Sequence, residues 1–119
     1  DIIFLYGEMG VGKTTFIRYL INAFQKENKL EQTEITSPTF NLLNEYQINN
    51  IKINHYDLFR LKSNMELKNL ELFDDNFNTI TLIEWPQIIE KTPKNLIELD
   101  FKYGKDHQTR SVRIKGLNL

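Results

Sequence analysis

The sequence predicts an α/β fold built on a mostly parallel central sheet that antiparallel hairpins complete. Three observations carry this. Ile2 to Tyr6 is a short, nearly continuous apolar run ending at Gly7, the pattern of a strand buried on both faces of a parallel sheet. From Lys13 to Glu27 the residues Phe16, Ile17, Leu20, Ile21 and Phe24 recur at helical spacing, one apolar stripe directly behind a Gly-rich turn. Thr79 to Ile83 is again β-branched and apolar, stops at Glu84, and precedes Pro86, which has no N–H to give to a sheet ladder.

The remaining elements follow in order. Asn28 to Ser37 is polar and reads as a loop. Phe40 to Ile48 and Ile51 to Leu58 read as strands joined across Asn49-Asn50, a pair that tolerates the positive φ of a tight hairpin. Met65 to Phe73 returns to helical spacing through Leu67, Leu70 and Phe73, with Ser63 or Asn64 available as cap. Leu96 to Tyr103 and Arg110 to Lys115 alternate apolar and polar residues around a turn containing Gly104, predicting a closing antiparallel hairpin.

The 119 residues, 40% of them hydrophobic, suffice for one domain spanning 1–119 with a single core. No repeat, low-complexity tract or linker interrupts them. The first residue, Asp1, is followed at once by Ile2-Ile3-Phe4-Leu5 with no initiator Met, so a native N-terminal segment is expected to precede this chain. Fifteen Lys and Arg against sixteen Asp and Glu leave a net charge of −1, with no broad pull toward a phosphate backbone. The chain has no Cys, which excludes disulfides and thiolate metal sites. No run of about 20 apolar residues and no signal-like segment is present, and a cytoplasmic protein is the expectation.

Gly7-Glu8-Met9-Gly10-Val11-Gly12-Lys13-Thr14 fits G-x-x-x-x-G-K-[ST] and lies between a predicted strand and a predicted helix, as a phosphate-binding P-loop must. Its glycines let the loop turn backbone N–H groups inward, and the helix start adds its dipole. Lys13 is placed to reach β- and γ-phosphates, and Thr14 to offer its hydroxyl to Mg²⁺; the stretch from Gly7 through Thr15 is the expected nucleotide contact. The plainer alternative is a Gly-rich turn before an ordinary helix, with Lys13 solvated. A chance match in a chain of this length runs at about one in a few hundred on average composition, and the strand–loop–helix context lowers that further. The fold expectation sharpens accordingly to a P-loop NTPase-type three-layer architecture.

A P-loop needs a carboxylate from the C-terminal end of another strand to hold hydrated magnesium. Glu84 and Asp57 both end apolar segments, and Glu84 has the better strand geometry for the metal, leaving Asp57 to orient a water. A surface charge at a strand terminus and a turn cap are the commonplace alternatives. Ser37-Pro38-Thr39-Phe40 places two hydroxyls around a rigid Pro, suiting a segment that senses a γ-phosphate through Mg²⁺, or simply a strand-entry turn. Arg60 lies beyond Asp57, open to pairing with it, to a phosphate or to a partner. His55 is expected to be a half-buried strand residue rather than a base. Trp85 is read first as a packed aromatic, second as a cover for the nucleotide or an interface anchor.

In this order, G-E-M-G-V-G-K-T-T, S-P-T-F, H-Y-D-L-F-R-L and L-I-E-W-P closely resemble the TsaE family, formerly YjeE, over nearly the whole chain. The resemblance implies an ATPase that associates with the TsaB and TsaD subunits, which transfer a threonylcarbamoyl group to adenosine in tRNA. It implies ATP and Mg²⁺ as cofactors, contact with tRNA only through that assembly, and hydrolysis that is slow without the partners. Carried over by motif, Gly7 to Thr14 with Lys13 bind phosphates, Thr14 and Glu84 ligate Mg²⁺, and Asp57 and Thr39 shape hydrolysis. Phe59 stands where a Tyr is common, Asn41 where Thr often follows S-P-T-F, and Glu71 near an expected Gly. The family's leading segment, expected to help hold the adenine, precedes the first strand here.

Rival readings differ in what they require. A small-molecule P-loop kinase needs an acceptor site and an Arg-rich lid, and no such segment occurs. A GTPase needs N-K-x-D and D-x-x-G; Asn28-Lys29-Leu30-Glu31 comes too early in the chain, and the second motif is missing. A nucleotide-dependent binding module without significant catalysis is the remaining alternative.

Overall fold

The computed structural model describes residues 1–38, 42–61, 78–106 and 108–116. The helix expected over Met65 to Phe73, with its cap at Ser63 or Asn64, and the residues Thr39, Phe40, Asn41 and Glu71 lie outside them.

Six strands form one sheet: β1 (Ile2–Tyr6), β2 (Leu43–Ile48), β3 (Ile51–Asp57), β4 (Thr79–Glu84), β5 (Leu96–Tyr103) and β6 (Arg110–Lys115), with the helix α1 (Lys13–Glu27) between β1 and β2. Their order across the sheet is β2-β3-β4-β1-β5-β6. The pairs β3–β4, β4–β1 and β1–β5 are parallel, and the outer pairs β2–β3 and β5–β6 are antiparallel hairpins. The apolar runs therefore occupy the middle of the sheet, where both faces are covered, and the alternating segments its margins.

Alternate residues of the central strands serve opposite faces. On one face Leu5, Ile53, Leu82, Leu99 and Phe101 pack with Ile17 and Ile21 of α1, half-buried Phe16, Leu20 and Phe24 extending the contact. On the other Phe4, Tyr56, Leu58 and Ile83 gather with Ile88 and Ile89, the latter two in and after the 3₁₀ turn Pro86–Ile88 that follows β4. Helix, sheet and this second covering make the three layers. Full burial of a side chain such as Ile17, Ile21 or Leu82, all at zero exposure, stabilises by roughly 1.5–3 kcal/mol each.

Two strand boundaries fall inside the predicted ones. Leu42 has φ 63°, which breaks extended backbone before Leu43. Leu58 already opens a turn closed by the Leu61 N–H donating to its carbonyl at 3.0 Å, so β3 ends at Asp57. The Asn49-Asn50 hairpin is as expected, with Asn49 alone at positive φ, 54°, and its amide donates to Asn28 Oδ1 at 2.7 Å, tying the hairpin to the end of α1.

Candidate functional site

The parallel ladders bring the site together. Asp57 is level with Glu84 across β3–β4, and Glu84 is level with Leu5 across β4–β1, two residues before the loop at Gly7. Level residues of neighbouring strands share a face, so both carboxylates stand on the α1 side, at the edge where β1 turns into the helix. The loop curls there through Gly7 at φ 147° and Gly12 at φ 118°. A Cβ at Gly7 would lie 2.8 Å from Val11 Cγ1 and 2.9 Å from the Phe101 carbonyl, so the tight turn at the strand end admits no side chain. Gly12 is the N-cap of α1 and supplies no side-chain acceptor, which leaves the first amides of the helix pointing out of its end.

A cavity of about 280 Å³ opens at this end, lined by Met9, Gly10, Gly12, Lys13, Thr14, Thr15, Ser37, Asp57, Phe59, Glu84 and Trp85. Lys13 is buried, its ammonium donating to the Gly7 carbonyl at 2.6 Å and lying 3.8 Å from the centre of the Trp85 ring. Burial pushes the pKa of that ammonium below its ordinary value, while Glu84 and Asp57 pull it upward. Thr14 Oγ1 shares a hydrogen bond with Ser37 Oγ at 2.7 Å and lies 3.3 and 3.4 Å from the two oxygens of Glu84. Asp57 is half-buried and accepts the Phe59 N–H at 3.0 Å. Desolvation raises its carboxyl pKa above the ordinary value and nearby Glu84 adds to this, against the opposing pull of that N–H, His55 and Lys13.

Glu84 is 3% exposed, and its main partner is His55, whose Nε2 lies 2.7 Å from Oε2. His55 is fully buried, correcting the expectation of a half-buried strand residue. It sits two residues before Asp57 on β3, on the same face, one pleat deeper than the carboxylates. Trp85 is at φ 57°, a conformation costing a bulky residue about 1–3 kcal/mol. That reversal ends β4 at Glu84, starts the Pro86 turn, and brings the indole over Lys13 and to 4.9 Å from the Phe59 ring.

Of the residues singled out from sequence, Met9, Gly10, Gly12, Lys13, Thr14, Thr15, Asp57 and Glu84 thus face one cavity. Gly7, Glu8 and Val11 line the adjoining hollow of about 670 Å³ with Tyr6, Trp85 and the end of β5. Val11 is 1% exposed and packs into the core, so only its backbone is available to the loop's outer side. Arg60 is exposed in the turn after β3. Sequence reasoning gave a site role to Thr39 and none to Ser37, and missed the His55–Glu84 contact. Only part of a signal for the latter lies in the sequence: Ile53, His55 and Asp57 alternate on one face of a strand, but that the strand ending in Glu84 is its neighbour emerges only from the sheet order.

Among the described residues no group of three or more His, Cys, Asp or Glu side chains could hold a metal. The oxygen set of Thr14, Ser37 and Glu84 does fit a hard cation of the magnesium kind, which uses one or two carboxylates and completes its shell from phosphate and water. Among the described residues no helix is long and apolar enough to cross a membrane.

Strand order, loop and helix define an α/β protein of the P-loop NTPase-type fold. The family model described as "Threonylcarbamoyl adenosine biosynthesis protein TsaE" matches residues 1–112, and the chain belongs to the TsaE family. It is 46% identical over 107 residues to the tRNA threonylcarbamoyladenosine biosynthesis protein TsaE of Rickettsia bellii, covering 89% of this chain and 72% of that one. It is 45% identical over 104 residues to the protein of the same name from Rickettsia felis, covering 86% of this chain and 58% of the relative. The crystal structure of YdiB from Bacillus subtilis superposes with a TM-score of 0.60 at 24% identity, covering 94% of this chain and 65% of that one, a likeness of fold.

Proposed function

We propose that this chain binds Mg-ATP and hydrolyses it in the service of tRNA N6-threonylcarbamoyladenosine formation, acting in the cytoplasm with the TsaB and TsaD subunits. The observation that carries this reading is the convergence of Lys13, Thr14 and Glu84 on one cavity at the uncapped start of α1. Membership of the TsaE family supports the pathway, and the net charge of −1 supports contact with tRNA through the partners rather than directly.

In this reading the amides from Gly10 to Thr15 surround the phosphate tail, and Lys13 exchanges the Gly7 carbonyl for phosphate oxygens. Thr14 and Glu84 hold Mg²⁺, with Ser37 beside them. The ion, when bound, neutralises charge on the β- and γ-phosphates. Asp57, level with Glu84 but carrying less of its burial, orients the attacking water, and Thr39 belongs to the same segment as Ser37. Trp85, against whose face Lys13 rests, walls that side of the cavity, with Phe59 beside it.

Calorimetric titration of the full-length protein with ATP and with GTP, each with and without magnesium, tests the reading. ATP is expected to bind, more tightly with magnesium and more tightly than GTP; equal affinities for the two nucleotides would remove the adenine assignment. ATPase rates with and without TsaB and TsaD then separate a hydrolase from a nucleotide-dependent binding module, the expectation being a slow rate that rises in the assembly.

A further inference from the structure

Glu84 and His55 form a hydrogen-bonded contact whose geometry is one-sided. Thr14 Oγ1 stands 3.3 Å from one oxygen of Glu84 and 3.4 Å from the other, so it does not choose between them. His55 Nε2 does, at 2.7 Å from Oε2. A carboxylate can only accept, so Nε2 is the donor and one oxygen of Glu84 is pinned from behind, away from the cavity. Both groups are buried, His55 completely. Its other ring nitrogen, Nδ1, is buried and has no hydrogen-bond partner among the described residues. A histidine that merely filled the core would be expected to satisfy both nitrogens or be replaced by an apolar residue, because leaving one unmade is costly. Here the entire polar capacity of the ring goes to Glu84.

We infer that His55 is a positioning residue: from one pleat below the cavity it fixes the rotation of the Glu84 carboxylate, so that the unpinned oxygen is presented to the cation. The inference rests on the Mg-ATP reading and deepens it. His55 does not line the cavity. It acts through Glu84 alone, as outer-shell partners of metal ligands do.

The test is the magnesium concentration at half-saturation of the protein–ADP complex, read by calorimetry on the full-length protein, beside ADP affinity in excess chelator. His55→Leu removes the donor and is expected to raise the magnesium midpoint at least about tenfold, with chelator-phase ADP affinity within about twofold of wild type. His55→Gln carries an amide N–H about as far from the backbone as Nε2, and is expected to recover most of the midpoint. His55→Asn carries its amide only as far as Nδ1 and is expected to behave like His55→Leu. Should the leucine variant fail to fold, the glutamine–asparagine pair decides alone. A midpoint unchanged in His55→Leu, or equal in the Gln and Asn variants, overturns the inference while leaving nucleotide binding intact. A wild-type protein whose ADP binding ignores magnesium overturns the parent reading instead.

Discussion

Replacing Gly7 by Ala separates the architecture of the loop from its chemistry. Gly7 has φ 147°, a conformation that costs an L-residue about 1–3 kcal/mol. The added methyl would also sit 2.8 Å from Val11 Cγ1 and 2.9 Å from the Phe101 carbonyl. Val11 is 1% exposed and cannot swing away, and the carbonyl is fixed in β5. Overpacking of this kind costs a further 1–3 kcal/mol or so, giving about 2–6 kcal/mol against a total stability of about 5–15 kcal/mol. Gly12→Ala is the internal control. Its φ of 118° carries similar strain, but a Cβ there meets nothing within 4 Å, so only about 1–3 kcal/mol is expected. Thermal unfolding followed by circular dichroism measures both. At roughly 4 °C per kcal/mol for a domain of this size, the Gly7 variant is expected to melt some 8–24 °C below wild type and well below the Gly12 variant. A Gly7→Ala protein as stable as Gly12→Ala would refute the steric argument, and with it the claim that the strand end and β5 determine the loop's shape.

Four further outcomes follow from the site. Lys13→Ala is expected to abolish ATP binding in calorimetry, the loss of charge-assisted bonds being worth about 1.5–3 kcal/mol each; unchanged affinity would defeat the phosphate role. Glu84→Gln retains an acceptor for His55, so the fold should survive while magnesium-dependent turnover falls by about 10²-fold or more, ADP affinity without metal changing little. Asp57→Asn should abolish hydrolysis yet stabilise the protein. Because the folded-state pKa of Asp57 is raised, the cost of its charge is absent below the unfolded pKa and complete above the folded one. The Tm advantage of the Asn variant should therefore be near zero at about pH 3 and grow as pH rises to neutrality, and a flat difference would contradict the assigned burial. Ser37→Ala, by removing the hydroxyl 2.7 Å from Thr14 Oγ1, is expected to lower magnesium affinity with less effect than Glu84→Gln, measured by the same titration.

Much of this was legible in the residues. The bounds of α1, β5 and β6, the glycine loop between β1 and α1, and the strand ending at Glu84 come directly from periodicity and glycine placement, because burial on one face leaves a period in the sequence. The strand order was less accessible, since which parallel strands are neighbours depends on crossovers whose lengths do not dictate it. With the order unknown, the level alignment of Asp57 with Glu84 was not available, nor was the depth of His55. A histidine between Asn54 and Tyr56 has no local mark of full burial; the short bond to a carboxylate 29 residues away exists only after folding. Trp85 shows the opposite limit: nothing in its neighbours except Pro86 signals a left-handed backbone, yet that one torsion turns the ring over the loop.

The placement of that ring has a practical corollary. Trp85 is the sole tryptophan of the chain, and a cation rests against its face. Indole emission is sensitive to such a charge, and a phosphate that draws the Lys13 amine away removes it. These 119 residues are thus expected to carry an intrinsic optical reporter of phosphate arrival, with no label to disturb the pocket.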